Sequence, residues 1–261
     1  MKKALFQFVR RCHVLLLKKP LPDRFAIYFH ALEKADYDVF SEAINFLRDQ
    51  GYEFCSIENF LLEDKLKKIY ISFDDNYQSW YLALSLFERL DLSCAFYVNS
   101  LPFRDYASEA EIRSYYDKLA YHGSRVSLSS DELRALLDAG HTIGCHTHSH
   151  LMLTGLPLES AKAEILRGKE RLEQILGVEV FHFSYPFGMR RHFSGELRNY
   201  CSEIGFRTIA NAIPCLQYAK QSFLNINRSP WRFDKPLEYN AMNIRIDGRF
   251  FESVTGRSAA G

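Results

Sequence analysis

The sequence predicts a single α/β domain built as a parallel barrel. Short apolar runs of strand length alternate with amphipathic stretches of helix length over most of the 261 residues. That alternation implies a parallel sheet covered by helices. About seven such units in one chain favour closure into a barrel over an open sheet. Apolar residues make up 47% of the chain and charged residues 25%, which suits a soluble fold with a sizeable core.

The elements follow in order. A strand is expected over residues 25–29, ending at His30. The stretch 37–50 puts Val39, Phe40, Ala43, Ile44 and Leu47 on one helical face and stops at Gly51. The run Ile-Tyr-Ile-Ser-Phe at 69–73 reads as a buried strand and closes on Asp74, Asp75 and Asn76. A helix over 78–90 gathers Trp80, Leu82, Leu84, Leu86 and Phe87, and a third strand covers 93–98. The stretch 101–127, rich in tyrosine and charge, interrupts the rhythm. It reads either as a long loop lining a substrate groove or as a helical surface insertion. A helix over 129–139, capped by Ser130, leads to a strand over 141–145. A long helix over 158–176 ends at Gly177, a strand follows over 180–185, and a helix over 194–204 ends at Gly205. Strands at 206–210 and, more weakly, 223–226 complete the set, and 255–261 reads as a disordered tail.

A net charge of +1 excludes a nucleic-acid binder dominated by phosphate contacts. The charge is uneven. Residues 1–24 carry Lys2, Lys3, Arg10, Arg11, Lys18, Lys19 and Arg24 against Asp23 alone. Arg10 and Arg11 interrupt the apolar stretch and no small-residue cleavage site follows, so a signal peptide is not expected. The stretch is also too short and charged to span a bilayer. It reads as a basic amphipathic segment, either packed on the domain of residues 25–254 or held peripherally at an anionic membrane face. The six cysteines form no CxxC pair and are expected to be reduced, in the cytoplasm.

The residues that carry chemistry all follow expected strands: His30, the Asp74–Asp75 pair, His146 with His150, and the turn Ser184-Tyr185-Pro186-Phe187-Gly188. In a parallel barrel these strand ends share one face. Two acids side by side at the end of a buried strand repel unless something positive compensates. Two imidazoles and a carboxylate suit a divalent metal, zinc above all, with an open coordination position. One acid of the pair then binds the ion while its neighbour takes a proton from water. His148 lies between the two histidines and is read as a non-ligand. His141 and His182 lie in strands and read as core residues or supports of a ligand. His13, His122 and His192 have no special context. Asn76 is a residue that tolerates the left-handed conformation a tight turn here requires.

With these motifs in place, the chain resembles the polysaccharide deacetylases of carbohydrate esterase family 4. The matching segments are Ser72-Phe73-Asp74-Asp75-Asn76, His146-Thr147-His148-Ser149-His150 and Ser184-Tyr185-Pro186-Phe187-Gly188. The resemblance implies a distorted (β/α)7 barrel and metal-dependent removal of N-acetyl, or sometimes O-acetyl, groups from a sugar. It implies Asp74 as general base and Asp75, His146 and His150 as ligands of zinc, with cobalt or nickel as substitutes. It also implies an oxyanion contact from the Phe187 backbone N–H. The chain departs from the family pattern in four ways. Asn76 stands where the first motif has glycine, Ser184 stands where the third has the arginine that orients the base, no D-x-x-D-W motif follows Gly188, and no late segment supplies the acid histidine. The segment Tyr28-Phe29-His30 resembles an N-terminal variant of that acid segment and assigns His30 as general acid. Arg228 is the candidate for the lost arginine, a structural ion pair being the alternative. The expected substrate is an acetylated amino sugar, a precursor of surface polysaccharide met in the cytoplasm or at the inner membrane face. Hydrolysis of a non-sugar amide, or carbohydrate binding without catalysis, are the competing readings.

Overall fold

The computed structural model describes residues 20–62, 64–119, 123–214 and 223–245. Most of the basic N-terminal segment, the 255–261 tail, His13 and His122 lie outside the described residues. The strands are β1 (Arg24–Phe29), β2 (Glu53–Cys55), β3 (Lys68–Asp75), β4 (Cys94–Val98), β5 (Thr142–Cys145), β6 (His182–Ser184), β7 (Thr208–Ala210) and β8 (Arg228–Pro230). Their order is β7-β6-β5-β4-β3-β1-β8, every pairing is parallel, and β2 lies beside the first half of β3. The sheet curls. Ile226, just before β8, bridges Ala210 of β7 and donates its N–H to the Ile209 carbonyl at 2.8 Å. Seven strands on one curled path make the expected barrel.

The helices are α1 (Tyr37–Asp49), α2 (Ile57–Leu61), α3 (Ser79–Leu82), α4 (Leu84–Arg89), α5 (Glu109–Tyr116), α6 (Ser130–Asp138), α7 (Leu158–Leu176), α8 (Gly195–Glu203) and α9 (Leu237–Ile244). The helix expected over 78–90 is divided at Ala83, whose ψ of 2° tightens the chain between α3 and α4. The cap of α6 is Ser129, not Ser130: its hydroxyl accepts from the Glu132 N–H while the Glu132 carboxylate accepts from the Ser129 N–H. The weak strand expected over 223–226 is replaced by the single bridge at Ile226 and by β8 two residues further on, and β2, α2 and α9 have no counterpart among the expected elements.

The pleat of the strands separates two layers. Ile69, Ile71 and Phe73 of β3 join Phe29, Phe40, Trp80, Phe87 and Phe96 in the outer core beneath the helices. Phe73 stacks on Phe29 and Phe96 with centroids 5.3 and 5.2 Å away. Tyr70, Ala26, Ala95, Tyr97, Ala210 and Ile226 form the inner core. The small residues there make room for two tyrosines whose hydroxyls meet at 2.9 Å. Gly144 belongs to this arrangement, since a Cβ on it would lie 2.5 Å from the Tyr97 ring. Ile57 and Phe60 of α2 complete the inner core at the start of the strands. Glu58 is held there by a hydrogen bond from His182, which brings its carboxyl down to about 2. No described helix is long and apolar enough to cross a membrane.

His141 lies in the outer core between the rings of Phe87 and Phe96, both 5.4 Å away, and accepts the Cys94 N–H. Burial lowers its pKa to about 4. From pH ~6.5 downward the unfolded chain takes up a proton that the folded chain refuses, so stability falls toward pH 4. Denaturant titration from pH 7 to 4.5 should record a loss on the order of 2–3 kcal/mol from this group. The slope should be shallower in His141→Phe.

Candidate active site

The site stands at the carboxyl ends of β1, β3, β5 and β6, and the first residue of β8 reaches into it. Asp74 continues the inward face of β3, below Ser72. Arg228 opens β8 and reaches it across the barrel, with both nitrogens of its fork 2.7 Å from the two Asp74 oxygens. The remaining donors are also used. Nη1 reaches the Ser72 hydroxyl at 2.9 Å, Nη2 the Ser184 hydroxyl at 2.7 Å, and Nε the Asn211 carbonyl at 2.9 Å. Five donors meet five acceptors, the full capacity of a guanidinium. The rings of Tyr28 and Tyr97 lie 4.9 and 5.0 Å from its centre. Arg228 is 1% exposed and Asp74 5%. Burial alone would push the Asp74 carboxyl up. The Arg228 charge outweighs this and holds it below the usual carboxylate range. Ser184, at the arginine position of the third motif, thus braces an arginine that arrives from β8.

Asp75 turns out of the strand with φ of 89°. Asn76, expected in the left-handed conformation, does not adopt it. Its side chain instead accepts the Leu128 N–H at 2.8 Å and donates to the Asn99 carbonyl at 3.1 Å. The left-handed residue is the aspartate itself. Its Oδ1 lies 3.7 Å from His146 Nε2 and 3.3 Å from His150 Nε2. His146 Nδ1 lies 2.7 Å from the Ser184 carbonyl. A carbonyl only accepts, so Nδ1 carries the proton and the Nε2 lone pair faces Asp75. Burial lowers the pKa of both imidazoles, that of His150 to about 4, which keeps both neutral as ligands must be. Among the described residues, Asp75, His146 and His150 are the one group whose donor atoms converge, all within 4.8 Å. Two neutral imidazoles and one carboxylate fit a divalent metal with an open position.

The loop bearing the histidines is strained, with φ of 68° at Thr147 and 59° at His150. The Thr147 hydroxyl accepts the His150 N–H at 3.2 Å. Helix α7 packs beneath: a Cβ on Gly168 would lie 2.7 Å from the Thr147 carbonyl carbon. His148 turns away from the ligand group and meets the Ser100 hydroxyl at 2.8 Å. His182 bonds Thr208 and Glu58, and His192 accepts the Met189 N–H.

Phe187 is the fourth left-handed residue at this rim, with φ of 64° and 42% exposure. Its ring lies 5.0 Å from that of His150. Tyr185 stacks on Phe193 at 4.5 Å, which fixes the turn behind it. His30 is exposed beyond β1. Its ring lies 5.7 Å from that of Tyr28 and its carbonyl accepts the Trp80 indole N–H at 2.7 Å. The insertion over 101–127 is more than a surface feature. Tyr115 and Tyr116 of α5 are buried and donate to the Asn99 side chain and the Asn76 carbonyl. Ser72 and Ser184 open two of the motif segments without a bracing role being legible there, and Asn99 and Tyr115 carry no motif signal.

The family model for polysaccharide deacetylases matches residues 62–209, more than half of the chain, including Asp74, Asp75, His146 and His150. The chain belongs to this polysaccharide deacetylase family. No curated protein matches it. Solved structures share the fold at low identity. A deacetylase of Streptococcus pyogenes, PplD, solved in complex with acetate, is 16% identical with a TM-score of 0.67, over 85% of this chain and 97% of that one. IcaB of Ammonifex degensii is 15% identical with a TM-score of 0.64, over 84% and 96%. A de-N-acetylase of Aggregatibacter actinomycetemcomitans is 14% identical with a TM-score of 0.64, over 84% and 99%.

Titration of the chelator-treated family member with Co²⁺ should show one equivalent bound, read from the visible absorption of the ion. His146→Ala should abolish this signal, whereas Asp74→Asn should retain it. Loss of the signal in Asp74→Asn would make Asp74 a ligand.

Proposed function

We propose that the chain is a metal-dependent hydrolase that removes the N-acetyl group of an amino sugar, with zinc as its ion. One observation carries this reading: a buried, ionised carboxylate held by a bidentate arginine stands beside an Asp-His-His group in a polysaccharide deacetylase fold. The two neighbouring acids thereby have separate work. Asp75 serves the ion, and Asp74 is free to accept a proton.

Bound zinc supplies Lewis acidity, lowering the pKa of a water and polarising the acetyl carbonyl. Asp74 takes the proton of the attacking water on a carboxylate oxygen, while Arg228 keeps the carboxylate charged and fixes its plane. The N–H of Phe187, a residue on a left-handed turn, donates to the oxygen that gains charge as the carbonyl carbon becomes tetrahedral. His30 gives a proton to the departing nitrogen. Acetate and a free amine result. The aromatic rim at Phe187 offers a face on which a sugar ring can lie.

The substrate we infer is an acetylated amino-sugar precursor of surface polysaccharide, met in the cytoplasm or at the inner membrane face. The cationic residues of 1–24 favour the latter through attraction to anionic lipid.

Acetate release from acetylated amino-sugar oligomers and their nucleotide- and lipid-linked precursors, measured with zinc-loaded protein, tests the reading. Asp74→Asn should lower kcat by at least ~10²-fold. Wild-type turnover in Asp74→Asn would refute the assignment of the base. Release from none of these sugars, together with turnover of cyclic amides, would refute the substrate class.

A further inference from the structure

Asn99 lies one residue past β4, is fully buried, and has each of its polar groups bonded. Its N–H donates to the Asp75 carbonyl at 2.9 Å and its carbonyl accepts from the Asn76 side chain at 3.1 Å. Its side-chain nitrogen donates to the His146 carbonyl and lies 3.4 Å from the Thr147 hydroxyl. Its side-chain oxygen accepts the Tyr115 hydroxyl at 2.8 Å. One residue thus grips the backbone on both sides of the Asp-His-His group. The next two residues extend the grip: Ser100 N–H donates to the Thr147 carbonyl at 3.2 Å and Leu101 N–H to the His148 carbonyl at 2.9 Å.

The gripped backbone needs holding. Asp75, Thr147 and His150 all have positive φ, and such residues cost on the order of 1–3 kcal/mol each unless their surroundings impose them. Asn99 bonds the carbonyl of the first and the hydroxyl of the second. The chemistry also selects asparagine, because the position requires donors toward two backbone or hydroxyl oxygens and an acceptor toward a phenol. Aspartate would offer acceptors alone and leucine neither.

We propose that Asn99 is a positioning residue of the metal centre, and that Tyr115 of the 101–127 insertion, acting through Asn99, sets how tightly that centre holds its ion. The proposal rests on the reading of Asp75, His146 and His150 as ligands. It gives the insertion a task away from the substrate: its helix locks the strand end from which the ligand loop is hung. Groups that orient ligands typically alter metal affinity 10- to 100-fold when removed.

Zinc dissociation constants, measured by competition with a chromophoric chelator on protein shown by circular dichroism to be folded, test this for wild type, Asn99→Ala, Tyr115→Phe and Tyr52→Phe. Tyr52 is the control, since its hydroxyl donates to the Pro22 carbonyl at 2.8 Å near the opposite end of the barrel. The dissociation constant should rise ~10- to 100-fold in Asn99→Ala and on the order of fivefold in Tyr115→Phe, and stay unchanged in Tyr52→Phe. Folded Asn99→Ala and Tyr115→Phe with the wild-type constant would overturn the proposal while leaving the metal site standing. If Asn99→Ala does not fold, Tyr115→Phe alone decides. An equal rise in Tyr52→Phe would reduce the effect to general loosening and overturn it. Wild-type protein that binds no zinc would overturn the metal site and this inference together.

Discussion

The barrel is organised around one buried ion pair, Asp74 with Arg228. A guanidinium in the interior is tolerated only if its charge is neutralised and every N–H is bonded. Here the acceptors come from β3, β6 and the segment after β7, while the arginine comes from β8. The arginine on β8, at one end of the sheet's path, is thereby bonded to Asn211 just past β7 at the other end. The small residues Ala26, Ala95, Gly144 and Ala210 complete the same arrangement, since they leave the volume that Tyr70, Tyr97 and Arg228 fill. Removing one partner would leave the other charge buried and alone, a loss of about 3–5 kcal/mol. A pair of this kind constrains the fold as well as the chemistry.

Electrostatics then separates the two acids. Asp74 faces inward to a permanent cation and is held ionised. Asp75 rotates outward, at the cost of a left-handed backbone, toward two imidazoles that burial keeps neutral. Had both carboxylates faced the same way, each would have raised the pKa of the other. The strain at Asp75, Thr147, His150 and Phe187 is concentrated on this rim, and the surrounding hydrogen bonds hold it there. Asn99, Asn76 and the tyrosines of α5 supply many of those bonds.

Much of this was legible in the sequence, for identifiable reasons. The runs at 25–29 and 69–73 are long, apolar and β-branched or aromatic, so their identity as strands was plain. The motif around His146 and His150 has a spacing that few structural needs produce. In contrast, β2 and β8 are only three residues long, and β8 ends in proline, so neither has a period to read. The contact between Arg228 and Asp74 joins residues 154 positions apart and depends on barrel closure. The sequence could offer Arg228 only as a candidate. Asn76 drew attention because asparagine tolerates positive φ, yet the backbone placed the strain one residue earlier, where Asp75 turns toward His146 and His150. Asn99 was missed because it works through backbone groups, which leave no pattern of residue types.

The central claim is that Arg228 holds Asp74 ionised at neutral pH in a site whose burial would otherwise push its carboxyl up. Carbon-13 NMR titration of the Asp74 side-chain carboxyl, in metal-free wild type and in Arg228→Gln, tests this most directly. The wild-type carboxyl should titrate below the ordinary aspartate value of ~3.9, and in Arg228→Gln, with burial unopposed, it should titrate above it. An Asp74 that titrates at the same pH in both proteins would contradict the account.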